Sequence, residues 1–174
     1  YAKPSLAILK QTSINTLLQN TLELLNSDLI NHKIQLITYL DESNPQLNID
    51  PKQIKQALLN ILLNAIDTMP NGGTLTIKTT LSSPNALVPA NGAGGHPNHL
   101  LISIQDTGNG IQKEDLKHIF DPFFSKKDHG TGLGLSITHE IIKNHGGKIF
   151  VNSKLGEGTA FTINLPINMT ICTY

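Results

Sequence analysis

Apolar residues recur early in the chain at three- and four-residue steps: Ile14, Leu17, Leu18, Leu22, Leu24, Leu25 and Leu29. That period predicts an amphipathic helix over about residues 12 to 31. Residues 33 to 40 change to alternation, with Ile34, Leu36 and, less strictly, Tyr39 set between polar positions, as in a half-buried strand. Asp41-Glu42-Ser43-Asn44-Pro45 closes it with turn formers, and a short strand near Leu47 and Ile49 follows. Asp50-Pro51 opens a second helix, since Asp can cap free amides and Pro at the first helical position gives up no needed donor. This helix runs to about Met69, where Pro70-Asn71-Gly72-Gly73 stops it.

Two strands are predicted next, residues 74 to 81 and 100 to 105, separated by a Gly-, Pro-, Asn- and Ala-rich hairpin loop over 82 to 98. His96 and His99 read as solvated loop histidines. Residues 113 to 120 read as a short helix and 121 to 129 as a loop. A helix opened by Gly130-Thr131-Gly132-Leu133-Gly134-Leu135 runs to about His145, with Ile137, Ile141 and Ile142 inward. Strands at 148 to 153 and 159 to 165, joined by Leu155-Gly156-Glu157-Gly158, finish the pattern, and no repeats occur.

At 174 residues and 39% hydrophobic content the chain suffices for one core, an α/β domain with a helical entry. Acidic and basic residues number thirteen each, and every base is a lysine. Without an arginine fork and with no net charge, nucleic-acid recognition is not expected. The one cysteine, Cys172, allows no intrachain disulfide, so a reducing compartment is the default. No apolar run reaches membrane-spanning length, the nearest being 57 to 66 with Asn60 and Asn64 inside it, and no signal peptide precedes the first helix. Asn168-Met169-Thr170 matches a glycosylation sequon, a triplet that often arises by chance.

Asp106-Thr107-Gly108-Asn109-Gly110-Ile111 follows the apolar run Leu100-Leu101-Ile102-Ser103-Ile104-Gln105. An acid ending a strand beside two turn-forming glycines makes a pocket floor, although the same residues also serve as ordinary turn chemistry. On the central helix Asn60 and Asn64 share a face within an apolar surround. Such amides either bond to neighbouring backbone or turn their oxygens toward a magnesium ion whose shell phosphates complete. The glycines from Gly130 to Gly134 lack the preceding strand of a dinucleotide fingerprint, but at a helix start they expose amides to a phosphate. Lys126 and Lys127 either add charge there or are solvated surface lysines. His139-Glu140 is no zinc helix, because Lys143 stands where a second histidine is needed, and His139 reads as a helix-surface histidine.

In this order the motifs resemble the ATP-binding catalytic domain of sensor histidine kinases, in the superfamily shared with gyrase, the Hsp90 chaperones and MutL. Asn60-Ile61-Leu62-Leu63-Asn64-Ala65 is similar to the N box and Asp106-Thr107-Gly108-Asn109-Gly110 to the first glycine box. Phe120-Asp121-Pro122-Phe123-Phe124 resembles the F box, Gly130-Thr131-Gly132-Leu133-Gly134-Leu135 the second glycine box, and Gly156-Glu157-Gly158-Thr159 the last. Ala2-Lys3-Pro4, Asp50-Pro51, Met69-Pro70-Asn71-Gly72-Gly73 and Phe123-Phe124-Ser125-Lys126-Lys127 look like the nitrogen-regulation type.

The resemblance implies an α+β two-layer sandwich of the Bergerat type, a mixed sheet of about five strands with three main helices on one face. It implies ATP and magnesium as cofactors, with nucleotide contacts from Asn60, Asn64, Asp106, Gly108, Gly110, Ile111, Phe120, Phe124, Lys127, Gly130, Thr131, Gly132, Leu133, Gly134, Leu135 and Thr159. Asp106 would receive the adenine amino group, with a water shared by Thr159. Asn64 would hold magnesium, Asn60 would help order the same shell, and Lys127 would lie near the terminal phosphates. No catalytic residue is assigned with certainty; Asn60 and Lys127 are positioning candidates.

The ATPase branch carries Glu where Asn60 stands, as the base that activates water, and an amide cannot take that proton. The implied reaction is therefore transfer of the γ-phosphoryl of Mg-ATP to a histidine and onward to a response-regulator receiver aspartate. A non-catalytic nucleotide-sensing module and an ATPase of the same superfamily are the alternatives. None of the seven histidines has the H-box setting, so the dimerising acceptor hairpin is expected before Tyr1. The expected layout is a linker at 1 to 11, the catalytic domain at 12 to 167 and a tail at 168 to 174. The expected setting is cytoplasmic, whether or not the parent is membrane-anchored. No direct membrane contact is foreseen; the isolated domain would be a monomer and the parent kinase a homodimer. Residues 121 to 132 would form a lid that orders with nucleotide.

Overall fold

The protein is described by a computed structural model at residues 7–82, 99–126 and 130–167. The expected 82 to 98 loop, apart from Ser82, the end segments and Lys127 lie outside the described residues. Strand β1 (Lys10–Ser13) leads into helices α1 (Ile14–Leu24) and α2 (Asn26–Asn31), followed by strands β2 (Ile34–Tyr39) and β3 (Gln46–Ile49). Helix α3 (Pro51–Asp67), strands β4 (Gly73–Ser82) and β5 (His99–Asp106), helix α4 (Gly134–Asn144) and strands β6 (Lys148–Lys154) and β7 (Gly158–Pro166) complete the order.

Five strands form one mixed sheet in the order β2-β4-β5-β7-β6, and β1 and β3 pair in a small second sheet. The β2–β4 pair is parallel, with Leu36 beside Leu75; the other pairs in the sheet are antiparallel. Parallel neighbours need a crossover, and the segment through β3 and α3 supplies it. Strand alternation turns Leu75 and Ile77 of β4, Leu100, Ile102 and Ile104 of β5, and Phe161, Ile163 and Leu165 of β7 into the core. They join the inner positions of α3 and α4, among them Leu58, Ile61, Leu62, Ile141 and Ile142, in one apolar cluster. Ile137, expected inward, is instead 36% exposed, and the buried position beside it on α4 is Thr138. The expected sandwich of a five-stranded mixed sheet and helices is what forms.

Local deviations have local causes. The expected helix over residues 12 to 31 is two helices, because Leu25 leaves helical geometry at φ −95°, ψ 2°. Its first residues instead belong to β1, and Ser13 caps α1 by accepting from the Thr16 N–H at 3.1 Å. Residues 113 to 120 form successive turns rather than a helix; the N–H groups of Asp115 and Leu116 both donate to the Gln112 carbonyl, so no continuous ladder develops. His99 is no loop residue but the first residue of β5, its Nδ1 2.6 Å from Asn164 Oδ1 on β7.

The start of α3 gathers distant parts of the chain. Asp50 accepts from the Lys52 and Gln53 N–H groups at 2.9 and 3.2 Å and, through its other oxygen, from the Ile8 N–H at 2.8 Å. Burial raises the proton affinity of its carboxyl, but these three donors overcome that and hold the group below its ordinary value. The Asp50 N–H in turn donates to His145 Nε2 at 3.0 Å, while His145 Nδ1 donates to the Ile141 carbonyl at 2.7 Å. His145 is fully buried, so the end of α4 is fastened to the beginning of α3.

Candidate nucleotide site

The alternation that buries Leu100, Ile102 and Ile104 carries on to the last residue of β5 and turns Asp106 inward. Its carboxylate is 4% exposed, and Oδ1 accepts from the Gly108 N–H at 2.8 Å and the Thr159 N–H at 3.2 Å. Burial pushes the group above the ordinary carboxylate value despite those donors and the neighbouring Thr68 hydroxyl. An anion kept at such cost forms the floor of a cavity of about 550 Å³ between α3, the turns after β5 and the start of α4.

The glycines beside it permit close backbone packing. Gly110 has φ +68°, and a Cβ there would overlap the Lys154 carbonyl oxygen. Gly158 has φ +109°, and its Cβ would overlap the carbonyl oxygen of Asp106 itself. Gly108 is pressed against Thr68, the residue that caps α3 and whose hydroxyl donates to the Ala65 carbonyl at 2.8 Å. These contacts hold the β5 end, the β6–β7 connection and the end of α3 in one place.

Asn60 and Asn64 line the cavity from α3. Asn60 Nδ2 donates to the Gly134 carbonyl at 2.9 Å and to Thr138 Oγ1 at 3.2 Å, joining α3 to the first turn of α4. That helix begins without a side-chain cap, so its N-terminal amides, with Gly130, Thr131 and Gly132 before them, face a cavity suited to an anion. Phe123 and Gly132 both have positive φ, 67° each, and the Phe123 N–H donates to the Gly132 carbonyl at 2.9 Å. The segment between them is therefore closed at its neck. Within it Lys126 Nζ lies 2.6 Å from the Asp115 carboxylate, so its charge is paired with an acid of the cavity wall.

The cavity brings together Asn60, Asn64, Asp106, Gly110, Ile111, Phe124, Gly130, Thr131, Gly132, Gly134, Leu135 and Thr159 among the residues expected from sequence. Gly108, Phe120 and Leu133 stand behind its wall. Gly108 orients Asp106, Phe120 packs on His139 with ring centroids 5.3 Å apart, and Leu133 is the residue before α4. His139 is otherwise exposed, as its pattern predicts. The Thr159 hydroxyl meets Ser153 Oγ at 2.9 Å, and its backbone holds Asp106. Sequence reasoning missed Thr68, Asp115 and Thr138; their partners lie 38, 11 and 78 residues away along the chain.

The donor set suits magnesium rather than a softer metal. Among the described residues no cluster of three His, Cys, Asp or Glu could hold a metal, and the hard oxygens along the wall, the amides of Asn60 and Asn64 and the carboxylates of Asp67 and Asp115 among them, leave most of a shell to phosphate and water.

A cavity of about 550 Å³ with a buried acid on its floor and a helix start without a side-chain cap on its wall defines a nucleotide-binding protein built on an α+β sandwich. Residues 49–169 match the model of the histidine kinase-, DNA gyrase B- and HSP90-like ATPases, and the chain belongs to that family. It is 37% identical over 168 residues to the sensor histidine kinase ZraS of Escherichia coli K12, covering 97% of this chain and 33% of that one. It is 35% identical to sporulation kinase E of Bacillus subtilis, covering 95% of this chain and 21% of that one. The chain thus spans a third or less of these curated relatives. The catalytic domain of histidine kinase ThkA superposes with a TM-score of 0.77 at 28% identity, over 92% of this chain and 96% of that one. ThkA in complex with the response regulator TrrA gives 0.75 at 26% identity, over 97% and 44%.

Proposed function

We propose that this chain is the ATP-binding catalytic part of a two-component sensor histidine kinase, presenting the γ-phosphoryl group of ATP to a histidine on a separate dimerising domain. The observation that carries the reading is Asn60. It stands on the cavity wall where hydrolytic relatives are expected to place a general base, and both protons of its amide are directed into α4. An amide has no basic site to deprotonate water, so bound ATP persists until another nucleophile arrives.

Asp106 binds and orients the adenine amino group, the α4 amides and Gly130 to Gly134 receive the phosphates, and Asn60 and Asn64 would hold magnesium. The ion would neutralise phosphate charge. The incoming imidazole nitrogen donates its lone pair to the γ-phosphorus as the bond to the β–γ bridging oxygen breaks; ADP leaves with that electron pair, and the ring's other nitrogen gives its proton to a base of the acceptor domain or to water. Exposed Phe123 and Ile137, at 73% and 36%, flank the phosphate end and offer apolar area to the acceptor domain.

The relatives named as sensor kinases support the reading, as does the complex that ThkA forms with a response regulator. We infer for the same reason a receiver-domain partner, a cytoplasmic setting where ATP is available, a monomeric isolated domain and a homodimeric parent of nitrogen-regulation type. Incubating the chain with Mg-ATP and a purified acceptor hairpin should yield acid-labile phosphate on the hairpin, with negligible phosphate release when the hairpin is omitted. Steady phosphate release without the hairpin would instead establish an ATPase, and tight ATP binding with neither product would establish a nucleotide-sensing module.

A further inference from the structure

Three groups meet where α3 crosses the first turn of α4. Asn60 Nδ2 is 2.9 Å from the Gly134 carbonyl oxygen and 3.2 Å from Thr138 Oγ1, and Thr138 Oγ1 is itself 2.8 Å from the Gly134 oxygen. Thr138 is fully buried. A carbonyl oxygen only accepts, so the single hydroxyl proton of Thr138 is committed to Gly134. Its oxygen therefore turns lone pairs, and no proton, toward Asn60.

The amide of Asn60 has two protons and meets two acceptors. Turned over, it would set its own oxygen against the Gly134 oxygen and against the lone pairs of Thr138, with no donor in reach on that side. The orientation is thus dictated by α4: Nδ2 is turned to that helix and Oδ1 away from it, on a residue that lines the cavity. We propose that Thr138 is a positioning residue for phosphoryl transfer: it fixes the Asn60 amide so that its oxygen, and not its nitrogen, faces the magnesium–phosphate end of the site. The role rests on the reading of Asn60 as a metal-facing group given above.

Valine has the shape of threonine but replaces the acceptor by a methyl, which leaves one Asn60 proton without a partner and the amide held by the Gly134 carbonyl alone. Serine keeps the acceptor. Nucleotide binding should be titrated with wild type, Thr138→Val and Thr138→Ser, in excess magnesium and again in chelator, with melting curves to establish that each variant is folded. Thr138→Ser should keep the magnesium-linked tightening of wild type within about twofold. Thr138→Val should lose about tenfold of it, the size of one neutral hydrogen bond, while its affinity in chelator changes less than about twofold. Should Thr138→Val not fold, Thr138→Ala removes the same acceptor and carries the same expectation.

Equal losses with and without magnesium would mean that Thr138 only packs, and full retention of the tightening by the valine and alanine variants would mean that Gly134 alone orients the amide; either overturns the proposal. Failure of the wild type itself to bind more tightly with magnesium would overturn the metal reading of Asn60, and this role with it. Side-chain amide resonances of Asn60 give an independent readout, since loss of one acceptor should shift one proton of the pair and leave the other in place.

Discussion

Replacing Asp106 by asparagine separates what the site does for stability from what it does for recognition. The variant keeps the oxygen that accepts from the Gly108 and Thr159 N–H groups at 2.8 and 3.2 Å. The Thr68 hydroxyl, which neighbours the carboxyl and donates to the Ala65 carbonyl, keeps lone pairs that can accept from the new amide. The native carboxyl is held above its ordinary value of 3.8 by burial. The folded state therefore binds this proton more tightly than the unfolded chain does. The contribution of Asp106 to the stability of the nucleotide-free protein is greatest below the unfolded value and falls as pH rises through the folded one. Asparagine removes that penalty, so without nucleotide Asp106→Asn should melt at or above the wild-type temperature at pH 7, and the two should converge toward pH 3.

Recognition changes the other way. An adenine amino group needs an acceptor, and the variant offers a donor in its place. Loss of one hydrogen bond to a charged group, about 1.5 to 3 kcal/mol, weakens binding by about ten- to a hundredfold. Calorimetric titration with a non-hydrolysable ATP analogue, beside melting curves from pH 3 to 8, measures both effects. Unchanged affinity would refute Asp106 as the adenine acceptor. A large drop in melting temperature without nucleotide would refute the claim that its charge is carried at the expense of stability.

Gly156 and Gly158 sit two residues apart with φ of +79° and +109°, yet nothing lies within 4 Å of a Cβ built at Gly156, whereas one at Gly158 overlaps the Asp106 carbonyl. Gly156→Ala should cost only the conformational penalty, about 1 kcal/mol in chemical denaturation, and Gly158→Ala about 3 kcal/mol or more with loss of nucleotide binding. His145→Leu leaves the Asp50 N–H without its acceptor and should lower stability by about 1 to 3 kcal/mol. Hydrogen exchange should lose protection first at residues 50 to 54.

Elements set by a few neighbouring residues were legible in the sequence. Asp50-Pro51 announces α3 because cap and first-turn chemistry are local, and alternation through β5 delivers Asp106 to the interior. What escaped depends on partners far along the chain. β1 has four residues and becomes a strand only by pairing with β3, Lys10 against Ile49. Leu25 has the right hydrophobicity for a continuous helix but not the geometry. At the site, the paired amides and the glycines stand out in the sequence, but the acceptors behind Asn60 do not. Thr138 looks like any helical threonine until α4 is laid against α3. Lys126 reads as free charge until the turns after β5 bring Asp115 to it.

The match to the family model begins at residue 49, but the folding unit does not. Ile8 donates to the cap of α3, and Ile14, Leu18 and Leu47 are fully buried in the same core as Leu58. A fragment cut at residue 49 would discard two helices, two strands and all but the last residue of β3, baring apolar surface on the helix that carries Asn60 and Asn64. The same hook gives the upstream chain a handle: a pull at residue 8 is delivered directly to the first turn of the helix that lines the phosphate end. A load applied at residue 8 would thus reach α3 through a hydrogen bond to a residue 42 positions further along the chain.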